Sequence, residues 1–600
     1  MMRILRRKVF VVFIVIVGLI SICSFWFSCA SSNDLTKQDD AFYRDVSHLT
    51  NRYAQPESLL IGQQLKQLQE KSSEVKDADA DPDDIPYEEI ETSVNDEYTV
   101  VGRREGDEVY LPFFGFIQKY FEVYGRLTDN KQRFIFEHSY SKIYKPNGMY
   151  TPTGIFMSFE HYNVEVRDRV KCISGIEGVP LSTQWGAHGY YYPIQIAQYG
   201  LSHFSKFLIE DKPSVTVYEN GEDCTDMEWQ VSGPASHVRC VPDDEIDSDV
   251  LAFKTPESLG NPGALFHLDE DSNFFMSLDL KFITNGSITV LVETKAKSAP
   301  LFHIHYACSQ TLIHATGNEI YYGIGDRQTW SHMTRDIPTD FQKGLTLLYP
   351  KQKKLKMKFA VRRIVSITLH GTGYVDNITF SSVTHLAQFY YAANWLVRHQ
   401  DRTGGWPIMV TRKLGTFDSL DPGWYSAMAQ GQAISLLTRA YIRTKKEMYL
   451  QSALRATKVL NINSQDGGVR ATFMDKYVWY EEYPTNPSSF VLNGFIYSLI
   501  GLYDLKTIAP PELSGEAEKL FKQGMTSLKH MLPLFDTGLG SIYDLRHVTL
   551  GVAPNRARWD YHSTHINQLL LLSTIDNAPI LKNTAERWTG YMIGKRAAHN

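Results

Sequence analysis

The chain has 600 residues and a formal net charge of −6. It is too long for one hydrophobic core, and without overall basicity it can meet a polyanion only through a local patch. Aromatic residues make up 12%, with 34 tyrosines, a richness that suits stacking on sugars as well as packing in all-β cores.

Arg3, Arg6, Arg7 and Lys8 precede an uncharged apolar run over 9–29. Its length matches the roughly 30 Å of a bilayer interior and exceeds the roughly 7–15 residues of a signal-peptide core. The basic flank predicts a cytosolic tail at 1–8, with everything after the span lumenal or extracellular. The reading is a type II anchor, and cleavage near Ser28-Cys29-Ala30 is the alternative. Residues 30–97 are polar, and the acidic run from Asp77 to Asp84 cannot bury enough apolar surface to offset its ordering entropy. They predict a disordered stem with one short helix over 63–70.

From 98 to 383, short aromatic and β-branched runs separated by Gly, Asn and Pro turns predict strands, for example over 108–114, 131–137, 274–282, 288–294 and 361–369. We expect a β-hairpin unit at 98–150 and a β-sandwich or barrel at 151–383. Asn285 and Asn377 head Asn-x-Ser/Thr glycosylation acceptors, meaningful in a lumenal topology. Of the six cysteines, Cys23 and Cys29 fall in the apolar run. Cys224 and Cys240 are near enough in sequence to close a short loop in an oxidising compartment; the alternative is that these two, Cys172 and Cys308 are all free thiols.

From 384 to 600 apolar residues recur at i, i+3 and i+4, predicting helices over 388–398, 425–437, 450–457, 490–505, 516–534 and 562–571. Three Gly-rich turns, Gln400-Asp401-Arg402-Thr403-Gly404-Gly405, Gln465-Asp466-Gly467-Gly468 and Asp536-Thr537-Gly538-Leu539-Gly540, each follow a helix and lead into an extended segment, with a period of roughly 65–70 residues. Helical hairpins at that spacing predict an incomplete (α/α) toroid whose turns gather on one rim. The chain is therefore read as multidomain α+β: anchor and stem, an all-β region, and a C-terminal toroid.

Two polar clusters fall in the extended segments of that rim. One holds Tyr543, Asp544, Arg546, His547, Arg556, Arg558, Asp560, Tyr561, His562 and His565; the other is Trp479-Tyr480-Glu481-Glu482-Tyr483-Pro484. Arginine forks match carboxylate or sulfate, and phenols, imidazoles and carboxyls move protons once a site shifts their pKa. A polar loop with structural hydrogen bonds is the plainer reading of either cluster alone.

The strings Val478-Trp479-Tyr480-Glu481-Glu482-Tyr483-Pro484, Gly540-Ser541-Ile542-Tyr543-Asp544-Leu545-Arg546-His547 and 557–568 resemble the heparan sulfate glucuronyl C5-epimerase family. So do 406–415 and 422–432. The resemblance runs from about Val101 to the C-terminus and is strongest from Ala393. It implies that D-glucuronyl units in an N-sulfated heparosan or heparan sulfate chain become L-iduronyl units by proton removal and return at C5. Such chemistry needs cationic or donor groups on a carboxylate that gains charge, and an acid/base on each face of the ring. The resemblance makes Glu482 and Tyr561 those two groups, with Tyr483 and Tyr543 supporting and Arg546 an anion contact. Glu482 is a base near neutrality only if burial or its tyrosine neighbours raise its pKa. Tyr561, with an ordinary pKa of about 10, needs Arg558 or Arg546 nearby.

Further substrate contacts implied by the resemblance are Asn493, Lys413, Leu414, Gly415, Thr416, and Asn555, Arg556, Ala557, Arg558, Trp559, Asp560, His562, Ser563 and Thr564. From the β region come Tyr162, Arg167, Asp168, Arg169, Gln184, Tyr192 and Gln195. After Gly415 the family usually has Glu-Gly, whereas here Thr416 directly precedes Phe417, a loop one residue shorter. The family also implies a structural Ca²⁺ on Asn220, Glu222, Ser248, Asp249 and Asp376, all oxygen donors, and no organic cofactor. Finally it implies a homodimer in the Golgi lumen associated with heparan sulfate sulfotransferases.

Three other readings compete. Asp247-Ser248-Asp249 and Asp269-Glu270-Asp271 fit the Asp-x-Asp pattern of a Golgi glycosyltransferase, but strands come first and helices last, without the alternation of a nucleotide-binding sheet. A polysaccharide lyase makes the same C5 carbanion and then expels the 4-O group, giving an ultraviolet-absorbing unsaturated product. A non-catalytic glycan-binding ectodomain explains the arginines and tyrosines but not Glu482 beside Tyr483.

Overall fold

The computed structural model describes residues 88–94, 98–105, 108–110, 124–127, 134–137, 142–221, 229–296, 298, 300–350 and 359–598. The predicted cytosolic tail, the 9–29 anchor, the 63–70 helix and most of the stem lie outside them. Among the described residues no helix is long and apolar enough to cross a membrane. The chain divides into two units, Met1–Phe121 and Glu122–Asn600.

In the first unit Glu88–Val94, Tyr98–Glu105 and Glu108–Tyr110 form an antiparallel sheet. The first of these strands corrects the disordered-stem reading at its C-terminal end. The register sets Glu88 opposite Arg104, and opposite charges across a ladder support a strand that has little apolar content.

The second unit opens on a hairpin, Tyr124–Leu127 with Phe134–Glu137. A small sheet of Val170–Ile173, Pro180–Ser182 and Tyr190–Tyr191 follows, then helix α1, Pro193–Ile209. Sequence analysis predicted no helix there. The segment falls within the predicted all-β region, and α1 is buried from Pro193 to Lys206, so no polar stripe betrays it.

Two sheets then pack as the predicted sandwich. The seven-stranded sheet runs Gln230–Val231, Ala264–Glu270, Val361–His370, Ser287–Thr294, Leu301–Ala307, Glu319–Gly323 and His314–Thr316; the facing six-stranded sheet runs His237–Asp243, Ser248–Lys254, Thr372–Ser381, Phe275–Phe282 and Ser331–Asp336, with Val215–Glu219 also on Thr372–Ser381. Met276, Leu278, Leu280 and Phe282 alternate inward and are buried, the period of a strand with one face on a core. Helix α2, Ile337–Leu348, is capped by Asp336, whose carboxylate accepts from the Thr339 N–H at 3.0 Å.

The C-terminal helices are α3 His385–Arg398, α4 Ala427–Thr444, α5 Glu447–Asn461, α6 Leu492–Ile508, α7 Pro511–Met531, the short α8 Arg546–Leu550, α9 Trp559–Leu572 and α10 Pro579–Met592. Helices α4 and α6 meet through glycine: a Cβ on Gly431 would lie 2.4 Å from the Tyr497 carbonyl oxygen. Their core is shared with Tyr150, Phe156, Phe159, Tyr192 and Phe204, so this part of the predicted 151–383 β unit packs with the helices, while the sandwich holds a separate core. Each of the three Gly-rich turns leads into a hairpin: Arg412–Leu414 with Phe417–Leu420, Arg470–Phe473 with Tyr477–Tyr480, and Ile542–Asp544 with Asn555–Arg556. Asp401 accepts from the N–H groups of Gly404 and Gly405, and Asp536 from that of Gly538, the turn chemistry that recurs along the helical part.

Candidate active site

The first and third hairpins, the segment that follows the middle one and the loops flanking the small sheet line a cavity of about 570 Å³. The middle hairpin is held by burial: Trp479 is fully buried and stacks on Phe495 with centroids 3.7 Å apart, and the Tyr480 hydroxyl donates to the Leu520 carbonyl at 2.8 Å. The next three residues are thereby fixed. The Glu481 carboxylate accepts from the Phe490 N–H at 3.1 Å and from the Ser489 hydroxyl at 3.0 Å. Glu482 presses on the first turn of α6, where a Cβ on Gly494 would lie 2.4 Å from its Oε2. Only glycine admits that approach, and the unsatisfied N–H groups of a helix start favour negative charge there.

Glu482 is 4% exposed, and its Oε2 has no hydrogen-bond partner. Its Oε1 lies 3.4 Å from the Tyr543 hydroxyl, and Tyr483 hydrogen-bonds to it as well. Burial pushes the Glu482 carboxyl up to about 7, against the two tyrosine hydrogen bonds and the Arg412 guanidinium, which pull it down. Tyr483 and Tyr543 are raised far above the ordinary phenol range by burial and by Glu482. The Tyr543 and Tyr561 rings meet edge to face at 4.8 Å, so Glu482, Tyr483, Tyr543 and Tyr561 form one group. The arginine that Tyr561 needs nearby is present, but its effect is outweighed. Arg558 sits 5.3 Å over its ring, but burial, Glu482 and Asp560 raise its pKa more than Arg558 and Arg169 lower it. Tyr561 is a neutral phenol and donates a proton more readily than it takes one.

The cavity wall includes Arg169, Gln184, Leu414, Tyr483, Tyr543, Arg546, Asn555, Arg556, Ala557, Arg558 and Tyr561 from the sequence prediction. Arg546 is there but engaged: its Nε and Nη2 bind both oxygens of buried Asp544 at 2.6–3.0 Å, and Asn555 donates to the same carboxylate at 2.7 Å. Exposed Lys413, Gly415 and Thr416 form the turn beside Leu414, and exposed Trp559 begins α9. Tyr162 stacks on Phe159, hydrogen-bonds to Tyr497 and lies 5.2 Å under Arg167, whose Nη1 donates to Gln198 at 2.9 Å. Asp168 is exposed beside them.

Other predicted contacts are structural in their packing. Buried His562 accepts at Nδ1 from the Ser541 N–H and bonds through Nε2 to the Trp588 carbonyl, and His565 is pushed down to about 3 by burial, so both imidazoles are neutral scaffold. Ser563 and Thr564 donate to the Asp560 carbonyl. Asn493 and Gln195 are buried in α6 and α1, and Tyr192 is buried edge-on to Trp185. Trp185, Arg412, Phe417, Ser489 and Val491 on the wall were not among the predicted contacts, and Asp544 was noted only as part of the polar cluster. Arg412 and Phe417 flank the motif already singled out, and that position was the available signal.

Away from the cavity, the implied calcium residues converge in part. A Cβ on Gly221 would lie 1.5 Å from the Asp249 carbonyl oxygen and 3.2 Å from Asp376 Oδ1, and Glu219 Oε2 is buried without a partner. Oxygen donors with an unsatisfied carboxylate oxygen fit a hard cation. Glu222 lies outside the described residues, and among those no group of three His, Cys, Asp or Glu gathers as a metal site. Asn285 is exposed, whereas the Asn377 amide donates to Asp279 and Asp376 at 3.2 and 3.0 Å. Cys240 is disulfide-bonded with its partner outside the described residues, so the four-free-thiols alternative fails; Cys172 and Cys308 are free.

A buried carboxyl poised near neutrality, bonded to tyrosines that line an arginine-rich cavity, defines a proton-transfer site for an anionic substrate. The models for the D-glucuronyl C5-epimerase C-terminus and the D-glucuronyl C5-epimerase beta-sandwich domain match residues 400–590 and 247–372. A D-glucuronyl C5-epimerase of Caenorhabditis elegans is 38% identical over 83% of this chain and 87% of the relative. The chain belongs to the D-glucuronyl C5-epimerase family. An uncharacterized protein of Methanocaldococcus jannaschii is 31% identical over 26% of this chain and 47% of its own length. A rhamnosidase from Klebsiella oxytoca aligns over 66% of this chain and 81% of its own at 9% identity, with a TM-score of 0.24. That score is too low to support a functional assignment.

Proposed function

We propose that the protein converts D-glucuronyl to L-iduronyl units within an N-sulfated heparosan chain. The observation that carries this reading is Glu482, buried, pushed up to about 7 and bonded to two tyrosines beside Tyr561. The ionised Glu482 takes the C5 proton, and the electron pair of the C–H bond spreads into the neighbouring carboxylate as an enediolate. The Tyr561 phenol then returns a proton to C5 on the opposite face. Neutral Tyr483 and Tyr543 hold Glu482 in place and withdraw charge from it as it ionises. The cationic wall meets the carboxylate and its sulfated neighbours.

The test is incubation with N-sulfated heparosan in heavy water, followed by NMR at C5. Deuterium at C5 together with iduronyl signals supports the reading; an unsaturated product, or no exchange, overturns it. Exchange rises with pH through about 7 as Glu482 ionises, and Glu482→Gln lowers it by at least about 100-fold. A Glu482→Gln variant with full exchange removes Glu482 from this role.

The same reading extends to the setting. The basic-flanked 9–29 run supports a type II Golgi anchor, the recurring turns support an incomplete (α/α) toroid, and family resemblance supports a homodimer working alongside sulfotransferases. A calcium ion would be held by Asn220, Ser248, Asp249 and Asp376 with Glu222, and would tie sandwich strands together without taking part in proton transfer.

A further inference from the structure

The arginines of the cavity wall differ in what already neutralises them. Arg546 is committed to both oxygens of Asp544. Arg558 donates to Asp560 at 3.0 Å and lies largely in solvent, and Arg169 and Arg556 are exposed, so water screens all three. Arg412 is different. It is half-buried, and among the described residues no carboxylate pairs with it. Its guanidinium carbon stands 4.3 Å over the Trp185 ring and 5.4 Å over the Tyr483 ring. Nη1 donates to the Lys413 carbonyl at 2.9 Å, while Nε is sealed from solvent with no partner.

Rings hold the plane of a guanidinium and attract it, but they carry no countercharge. A half-buried cation with an unmade hydrogen bond is costly until an anion meets it. Trp185, Arg412 and Tyr483 all line the cavity, and the charge of Arg412 acts on both Glu482 and Tyr483. The planar fork also matches a carboxylate.

We propose that Arg412, clamped between Trp185 and Tyr483, receives the carboxylate of the uronate whose C5 proton is exchanged, while Arg546 shapes the wall through Asp544. The inference rests on the epimerase reading of this cavity. As the C5 proton passes to Glu482, the electron pair flows into the carboxylate bound by Arg412, which stays protonated and meets the second negative charge. Reprotonation at C5 restores the single charge.

The test compares the full chain with Arg412→Gln and Arg412→Lys on N-sulfated heparosan and on its carboxyl-reduced form, with binding measured for both chains and C5 deuterium uptake for the first. The wild type should bind the carboxylated chain more tightly. Arg412→Gln should bind the two chains equally and lose about 100-fold in exchange. Arg412→Lys, which keeps charge without the fork, should retain some preference and lose less exchange. A merely structural role would weaken both chains alike and leave the preference intact, and that result overturns the proposal. Should Arg412→Gln fail to fold by circular dichroism, full exchange and unchanged preference in Arg412→Lys overturn it instead. If the wild type exchanges no deuterium, the epimerase reading fails, while the binding preference still reports on Arg412.

Discussion

Two adjacent glutamates take opposite parts because of what each side chain meets. Glu481 is fully buried among the Phe490 N–H and the Ser489 hydroxyl, and burial pushes it up to about 8. In the unfolded chain it ionises near 4.5, so the folded state holds a proton that the unfolded state has lost. Stability from this group is complete below about pH 4.5 and declines as pH rises toward 8. Glu481→Gln keeps an acceptor for Phe490 and cannot ionise. Its urea midpoint should fall less than the wild type's between pH 5 and pH 8, while C5 exchange persists. Equal pH slopes for the two proteins would refute the burial argument. The pair Glu481-Glu482 was legible as a cluster, and the family resemblance singled out Glu482; residue pattern alone did not orient the two, since a short extended segment gives no period.

Element by element, glycine marks where helices and the site approach too closely for a side chain. Gly494→Ala places a Cβ against Glu482 Oε2 and must push the carboxyl off α6. We expect C5 exchange to fall by at least 10-fold, with stability lowered by about 1–3 kcal/mol. Gly515, on the exposed face of α7 with nothing near its Cβ site, is the matched control. Gly515→Ala should raise stability by about 0.5–1 kcal/mol and leave exchange unchanged. Equal exchange in the two variants would show that Glu482 tolerates displacement.

On the scale of the whole second unit, a buried cation ties the sandwich to the segment that packs on the helices. Arg335 binds both oxygens of Asp340 at 2.7–2.8 Å and donates to the carbonyls of Ile173 and Ser174 at 3.0 and 3.1 Å; both side chains are almost fully buried. Arg335→Leu leaves Asp340 buried without its partner and should cost about 3–5 kcal/mol in urea unfolding. Arg335→Leu with Asp340→Leu should recover part of that loss, and a single variant within about 1 kcal/mol of wild type would show the tie to be weak. For the proposed calcium site, a chelator should lower Tm reversibly, since an ion at about 100 times its Kd contributes about 2.7 kcal/mol. An unchanged Tm would remove the ion from the fold.

Local pattern was enough to reveal strands of the sandwich, the helices α3 to α7 and α9 and the recurring Asp-Gly turns, but not α8 or α10, because each of the former is written in neighbouring residues: a period of two, a period near 3.6, or an aspartate capping glycine N–H groups. It was also enough to mark the polar clusters. Long-range packing was needed to reveal α1, whose sides are all buried, and to show that Tyr150 to Phe204 share the helical core. It likewise set the raised pKa of Tyr561 and the isolation of Arg412 between two rings. Burial and the rings that clamp Arg412 come from chain segments distant in sequence, and no local period encodes them.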